Sequence, residues 1–296
     1  MDQAEARPDV VSASRARAYY ELTKPGITGY VMLTAGASAF VASRGSLGVG
    51  LAIHTVIATG LATAGALSLN QYVERDADAI MHRTRDRPLP TRRLTPMQAL
   101  GFGITLLMGG LLYTTWVLGS LPALLTAASG LLYHGAYTPL KSRSYVATLV
   151  GAVPGALPML IGWTVVTGVI DTGGLALFAI GYLWQLPHVL GLAWMLREDY
   201  ARVGFNLIPR GGARSIGIQM VASTLLLIPV SLTPVALGLT GTPYLVGATL
   251  LGVGFAASAV SAARELTEER ARRVFLTSLL YHPLLLGLMV FDAFRL

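Results

Sequence analysis

Asn70–Pro90 reads NQYVERDADAIMHRTRDRPLP and follows about twenty apolar residues without a break. The stretch carries Glu74, Asp76, Asp78 and Asp86 among Arg75, Arg83, Arg85 and Arg87. On a helix, Asn70, Glu74 and Asp78 stand at i, i+4 and i+8. Each step of four advances about 400°, so the three share a face within roughly 80°. Asp76 lies about 200° from Glu74 and points elsewhere. One amide and two carboxylates on a stripe form an oxygen-rich surface of the kind Mg²⁺ accepts. That ion takes one or two carboxylates and fills its shell with water and phosphate oxygens. The arginines just beyond the stripe are placed to meet the phosphate. In a soluble protein the same residues would read as a solvated loop of mixed charge. Here they are fused to a membrane span, where acids are costly and mark function.

The rest of the composition agrees with that setting. Of 296 residues, 53% are hydrophobic and only 12% charged, against about 25% charged in a soluble domain. The chain is therefore an all-α, polytopic membrane protein. There is no cysteine, which removes disulfide and thiol chemistry. Residues 1–24 form an N-terminal arm with charges of both signs and no apolar run. The arm is expected on the cytoplasmic side, is not a cleavable signal peptide, and is expected to be disordered over Met1–Tyr19. Residues 25–296 form one transmembrane domain.

Nine spans are predicted: Ile27–Ser43, Leu47–Leu69, Gln98–Gly119, Leu121–Tyr137, Val146–Val166, Gly174–Leu196, Ile216–Leu239, Tyr244–Ala263 and Val274–Asp292. With nine spans, 20 of the 22 lysines and arginines fall on one side, leaving Arg44 and Arg295 on the other. Positive charge marks the cytoplasmic face, which predicts N-terminus in and C-terminus out of the cytoplasmic (inner) membrane. The net charge of +7 thus belongs to topology, and no nucleic-acid partner is expected. Gly151 and Gly155 form a GxxxG, and Gly60, Gly65, Gly101, Gly103, Gly109 and Gly110 recur elsewhere. These are expected to let helices approach closely in the lipid bilayer and to carry no chemistry.

Two more polar groups open on the same face. Arg197-Glu198-Asp199-Tyr200 closes the sixth span. Eleven residues separate Asp199 from His188, so a continuous helix would put them on one face about 16 Å apart. That span reads Trp184-Gln185-Leu186-Pro187-His188. Pro187 removes a backbone donor and can kink the helix. His188 is read either as an interhelical hydrogen-bonding group or as a ligand or proton carrier. The other group is Tyr137-Thr-Pro-Leu-Lys141-Ser-Arg143, whose cations are either snorkelling or functional. His54, His134 and His282 read as satisfied interhelical histidines, although His134, three residues before Tyr137, could face a cavity. His82 reads as solvated. Two acidic groups with cations between them suit a Mg²⁺-bound diphosphate.

The pattern N-x-x-x-[DE]-x-x-x-D followed by R-T and R-P resembles the UbiA superfamily of intramembrane prenyltransferases. LTKPG at Leu22–Gly26, the stretch Leu69–Pro90, YTPLK at Tyr137–Lys141, GALPMLIGW at Gly155–Trp163, WQLPH at Trp184–His188 and LREDYARVG at Leu196–Gly204 narrow the resemblance to the heme O synthases. The resemblance implies nine helices around a central cavity. It implies transfer of farnesyl from farnesyl diphosphate to a heme B vinyl group, giving heme O, with Mg²⁺ as cofactor and heme B as substrate. Carried over by position, Asn70, Glu74 and Asp78 match the family's first acidic motif and are expected to be catalytic and metal-binding; Asp199, one of the two acids left in the second group, is expected to join them. Arg83, Arg87, Lys141, Arg143 and Arg197 would bind diphosphate, and His188, Trp184 and Gln185 the heme. The lipid bilayer is a partner by construction; a heme A synthase and oxidase assembly factors are the candidate protein partners. Quinone-type relatives carry DxxxD where this chain has Leu196 and Tyr200, and Tyr200 there is what heme O synthases show. The alternatives are a relative that prenylates another aromatic acceptor, distinguished by absence of heme, and a secondary transporter. A transporter would tend to show a second copy of the stripe and a midplane ion site.

Overall fold

The computed structural model describes residues 15–295, and among them the chain is helical throughout, with no strand. Eight helices are long and apolar enough to cross a membrane: α2 (Pro25–Ala42), α3 (Val49–Ile80), α4 (Pro96–Tyr113, continued by a π-helical turn to Leu118), α7 (Ala147–Thr167), α8 (Thr172–Met195), α10 (Gly212–Ala236), α11 (Thr242–Arg264) and α12 (Glu268–Arg295). The remaining expected span, Leu121–Tyr137, is also helical. It is split into α5 (Ser120–Leu131), a π-helical turn (Leu132–Tyr137) and the short α6 (Thr138–Leu140).

Local chemistry explains the helix starts. Pro25 and Pro96 occupy the first helical position, where a missing N–H costs nothing. Thr95 and Gln98 close a reciprocal capping box on α4. Asp171 accepts from the Gly174 N–H at 3.1 Å at the start of α8. Within the spans, Thr55, Thr59, Ser68, Thr126 and Thr224 return their hydroxyls to the carbonyl four residues back. A polar side chain thereby satisfies itself where lipid offers no partner.

α3 packs along α4 and α2, α7 lies between α2 and α8, and α12 closes against α2, α8 and α11. α10 and α11 pack together behind α8 and α12 and contribute no residue to the central cavity. In chain order each span packs on the next and α12 closes on α2, so the helices form the expected ring around the cavity. Close approach is set at Gly65 and Gly162. A Cβ on Gly65 would lie 2.3 Å from the Leu107 nitrogen, and one on Gly162 would lie 2.0 Å from the Ala35 oxygen. Gly101 and Gly109, expected to act likewise, have nothing within 4 Å. The GxxxG glycines meet side chains instead: Gly151 abuts the Tyr137 ring and Gly155 the Gln185 amide.

Two expectations are corrected. Residues 15–22 form a helix, α1, rather than a disordered arm; Met1–Ser14 lie outside the described residues. Ala18 and Leu22 are four apart, fully buried, and cluster with Leu89, Leu94 and Ala99. Arg93 pairs with Glu21 at 2.6 Å, and the Gln71 amide donates to the Glu21 and Leu22 carbonyls. In addition, the sixth span does not run continuously into Asp199. α8 stops at Met195, Leu196 takes φ −102° and ψ 15°, and α9 (Arg197–Arg202) begins anew. The expected three-turn register between His188 and Asp199 therefore fails.

Candidate active site

α3 has 32 residues, about 48 Å at 1.5 Å per residue, well beyond the ~30 Å of hydrocarbon. Its last turns carry the oxygen stripe past the membrane interior. Each stripe member meets a cation from a different segment. Lys24 Nζ donates to Asn70 Oδ1 at 3.0 Å. Lys141 Nζ donates to Glu74 Oε1 at 2.5 Å. Arg87 Nη1 donates to both Asp78 oxygens, at 2.8 and 2.7 Å. Asn70, Asp78 and Lys141 are buried.

The electrostatics follow from this packing. Burial pushes the Lys24 ammonium down to about 7, helped by the neighbouring Arg87 guanidinium and opposed by Glu74. Burial acts the same way on Lys141, but Tyr137 and the Glu74 carboxylate outweigh it and hold its ammonium above the usual lysine range. Lys141 Nζ also lies 4.5 Å from the Tyr137 ring centre.

Asp199 belongs to the neighbouring structure, not to the stripe. Its oxygens accept the backbone N–H groups of His82 and Arg83 at 3.2 and 3.3 Å. Burial opposes ionisation there, and those two donors outweigh it, so the carboxyl sits below its ordinary range. Of the cations expected on diphosphate, Lys141 and Arg87 reach the stripe. Arg83 offers its backbone to Asp199 while its side chain is exposed. Arg143 is exposed at the rim. Arg197 turns to the Trp194 carbonyl and ring and to Glu268.

Among the described residues no three His, Cys, Asp or Glu side chains converge on a ready-made metal cage. The donor set nevertheless suits Mg²⁺. It is all oxygen, with two carboxylates and one amide carbonyl; the buried Asn70 Nδ2, without a partner among the described residues, is a donor left for an acceptor such as a phosphate oxygen. Mg²⁺ with its own waters needs no more protein than this.

Behind the stripe lies a cavity of about 570 Å³, within the usual ~300–1,000 Å³ of ligand sites. Lys24, Tyr133 and Tyr137 line it, as do Trp184, Gln185 and His188, the three residues expected on the acceptor side. Tyr30 and His282 line it too, and they are hydrogen-bonded to each other through the phenol and Nδ1. Among the described residues His282 Nε2 has no partner, so this histidine is half satisfied there. His54 is paired as expected, at 2.6 Å to the Tyr113 hydroxyl. His134 hydrogen-bonds the backbone of Ala66 on α3, an interhelical bond as expected, while among the described residues its buried Nε2 has no partner; it lines a separate pocket with Glu74 and Phe205. His82 is exposed.

Lys24 lies within LTKPG, but nothing in its neighbours along the chain marks it as a partner of the stripe. Tyr30 carries no sequence signal, because nothing local distinguishes it from other polar residues in apolar helices.

Residues 31–282 match the UbiA prenyltransferase family. The chain is 42% identical over 287 residues to the protoheme IX farnesyltransferase of Solibacter usitatus, covering 93% of this chain and 98% of that protein. It is 44% identical over 261 residues to the protoheme IX farnesyltransferase of Anaeromyxobacter dehalogenans, covering 88% of each. In fold it resembles a digeranylgeranylglyceryl phosphate synthase, with a TM-score of 0.80 at 15% identity over 95% of this chain and 99% of that one. It also resembles a UbiA homologue from Archaeoglobus fulgidus bound to GPP and Mg²⁺, with a TM-score of 0.65 at 11% identity over 94% of this chain and 100% of that one.

Proposed function

The chain belongs to the UbiA prenyltransferase family, and we propose from this that it transfers a farnesyl group from farnesyl diphosphate to a vinyl group of heme B, giving heme O. The observation that carries the reading is that Lys24, bonded to Asn70 on the oxygen stripe, also lines the apolar cavity walled by Trp184, Gln185 and His188, while Lys141 and Arg87 meet the rest of the stripe. The names of the relatives at 42–44% identity supply the substrate pair.

Lys24, Lys141 and Arg87 have the charge to hold the diphosphate and to stabilise the negative charge that grows on it as the allylic C–O bond breaks. Asn70, Glu74 and Asp78 would hold Mg²⁺, which when bound supplies further neutralisation of that charge. Asp199 acts from outside by fixing the His82–Arg83 backbone. Arg83 and Arg143 are placed to attract the anion from the rim, whereas Arg197 is committed to Trp194 and Glu268. The bond pair leaves with diphosphate, and the vinyl π pair forms the new C–C bond. Water then supplies the hydroxyl and releases one proton. Apolar cavity walls keep other water from the allylic cation until that point. His188 offers an imidazole to the heme iron, the usual axial ligand chemistry. We place the enzyme in the cytoplasmic membrane, N-terminus inside, beside the heme A synthase and oxidase assembly factors that would receive its product.

The test is direct. Membranes containing the chain are incubated with heme B, farnesyl diphosphate and Mg²⁺, and the extracted heme is read by mass. Heme O is expected, and its formation should be lost on chelating the metal. Prenylation of a quinone precursor with heme B left untouched would replace this reading by the other aromatic-acceptor one.

A further inference from the structure

Ser278 stands on α12 against Trp184 and His188 of α8 and holds both. Its backbone carbonyl accepts the Trp184 Nε1–H at 2.7 Å. Its hydroxyl lies 2.5 Å from the Phe275 carbonyl and 2.8 Å from His188 Nδ1. A carbonyl has no proton to give, so the hydroxyl proton lies on the line to Phe275. Toward the imidazole the same oxygen can then only accept. The proton on His188 is therefore on Nδ1, and Nε2 keeps its lone pair. Ser278 is fully buried, so water does not compete for either bond. The ring stacks on Trp184 at 5.2 Å and on Phe275 at 4.8 Å, which fixes its plane. His188 itself is half-buried and borders the cavity. Among the described residues, Nδ1 makes its only hydrogen bond.

We propose that Ser278 is a positioning residue of this site: it selects the Nδ1–H tautomer of His188 and so presents Nε2 to the cavity as an electron-pair donor. That which bond the far nitrogen makes decides which nitrogen is free to ligate is general for imidazole. The heme iron as the group met by Nε2 rests on the function proposed above; the tautomer does not.

The experiment has two arms, both on the full chain in detergent or nanodiscs. In the first, ¹⁵N-histidine spectra are recorded without heme, and the His188 signal is assigned by its loss in His188→Ala. The wild type should show a protonated Nδ1 and a bare Nε2, and Ser278→Ala should lose that preference. In the second, heme B is titrated and the Soret band followed. Ser278→Ala should weaken heme binding about 10–100-fold, as removal of a ligand's hydrogen-bond partner usually does. Farnesyl diphosphate affinity should stay unchanged, which also reports that the variant is folded. Trp184 is held by the backbone of residue 278, so alanine leaves that bond in place. Ser278→Thr keeps a hydroxyl and should restore both readouts. A wild-type His188 protonated on Nε2 overturns the proposal, and so does a Ser278→Ala protein with wild-type tautomer and heme affinity. An Nδ1–H ring combined with heme binding untouched by His188→Ala supports the tautomer assignment and removes the heme reading instead.

Discussion

Asp78 shows how the packed site changes a simple expectation. As a metal ligand at a rim, its removal should abolish turnover and leave the fold alone. In the structure its carboxylate is buried and bonded twice by Arg87, whose side chain keeps 20% of its exposure. Breaking a buried pair costs about 3–5 kcal/mol, and the partial exposure of Arg87 brings this toward about 2–3. Asp78→Ala is therefore expected to lose turnover and also to lower the thermal midpoint; a variant as stable as wild type would show that the pair is not structural. Lys24 gives a pH prediction. Its ammonium is pushed down to about 7 by burial, with Arg87 adding to the effect. Its charge, and any help it gives the diphosphate, is present below that pH and lost as pH rises through it. The apparent KM for farnesyl diphosphate should rise from pH 6.5 to 8.5, a window set around that value, and Lys24→Met should flatten the rise. An unchanged profile in the variant would place Lys24 outside the phosphate site. That contact could not be read from spacing, because 46 residues separate Lys24 from Asn70.

Helices were the most legible elements, and their interruptions the least. The 3.6-residue period placed Asn70, Glu74 and Asp78 on one stripe, and α3 carries them so. Nothing in the Met195–Arg197 propensities calls for a stop, yet α8 ends there. The π-helical turn at Leu132–Tyr137 was also unforeseen; it places Tyr133 and Tyr137, with ring centres 5.5 Å apart, on the cavity wall. Glycine patterns marked close packing in general but could not say which glycine is in contact. Gly162→Ala would drive a methyl into the Ala35 carbonyl and should destabilise by about 1–3 kcal/mol, as overpacking does. Gly109→Ala, with nothing within 4 Å, should be neutral or gain up to about 1 kcal/mol from helix propensity. Thermal unfolding of the two variants side by side checks this; equal midpoints would contradict the packing at Gly162.

At the scale of the molecule, charge sorting makes the sharpest claim. With 20 of 22 basic residues on one side, the N-terminus is expected in the cytoplasm and the C-terminus outside. A small tag after Leu296 should react with an impermeant reagent in intact cells; labelling only after lysis would contradict the orientation. The same side gathers the charged loops into one mouth, where His82 and Arg83 meet Asp199, Lys141 meets Glu74, and Arg197 approaches Glu268. Arg44 reaches the Gly238 carbonyl in a contact between two loops both assigned to the opposite side.

The membrane class, the helical architecture, the stripe and the cavity-lining motif WQLPH were all present in the chain itself. Composition and period act over neighbouring residues, so they survive without any knowledge of packing. The pairing of each stripe oxygen with its cation was not available in that way. Nor was the diversion of Asp199 to the His82–Arg83 backbone, or the proton on His188. The Asp78–Arg87 pair spans only nine residues, but the other contacts join residues 46 to 117 apart, and only the packing of the helices brings those partners within a hydrogen bond of one another.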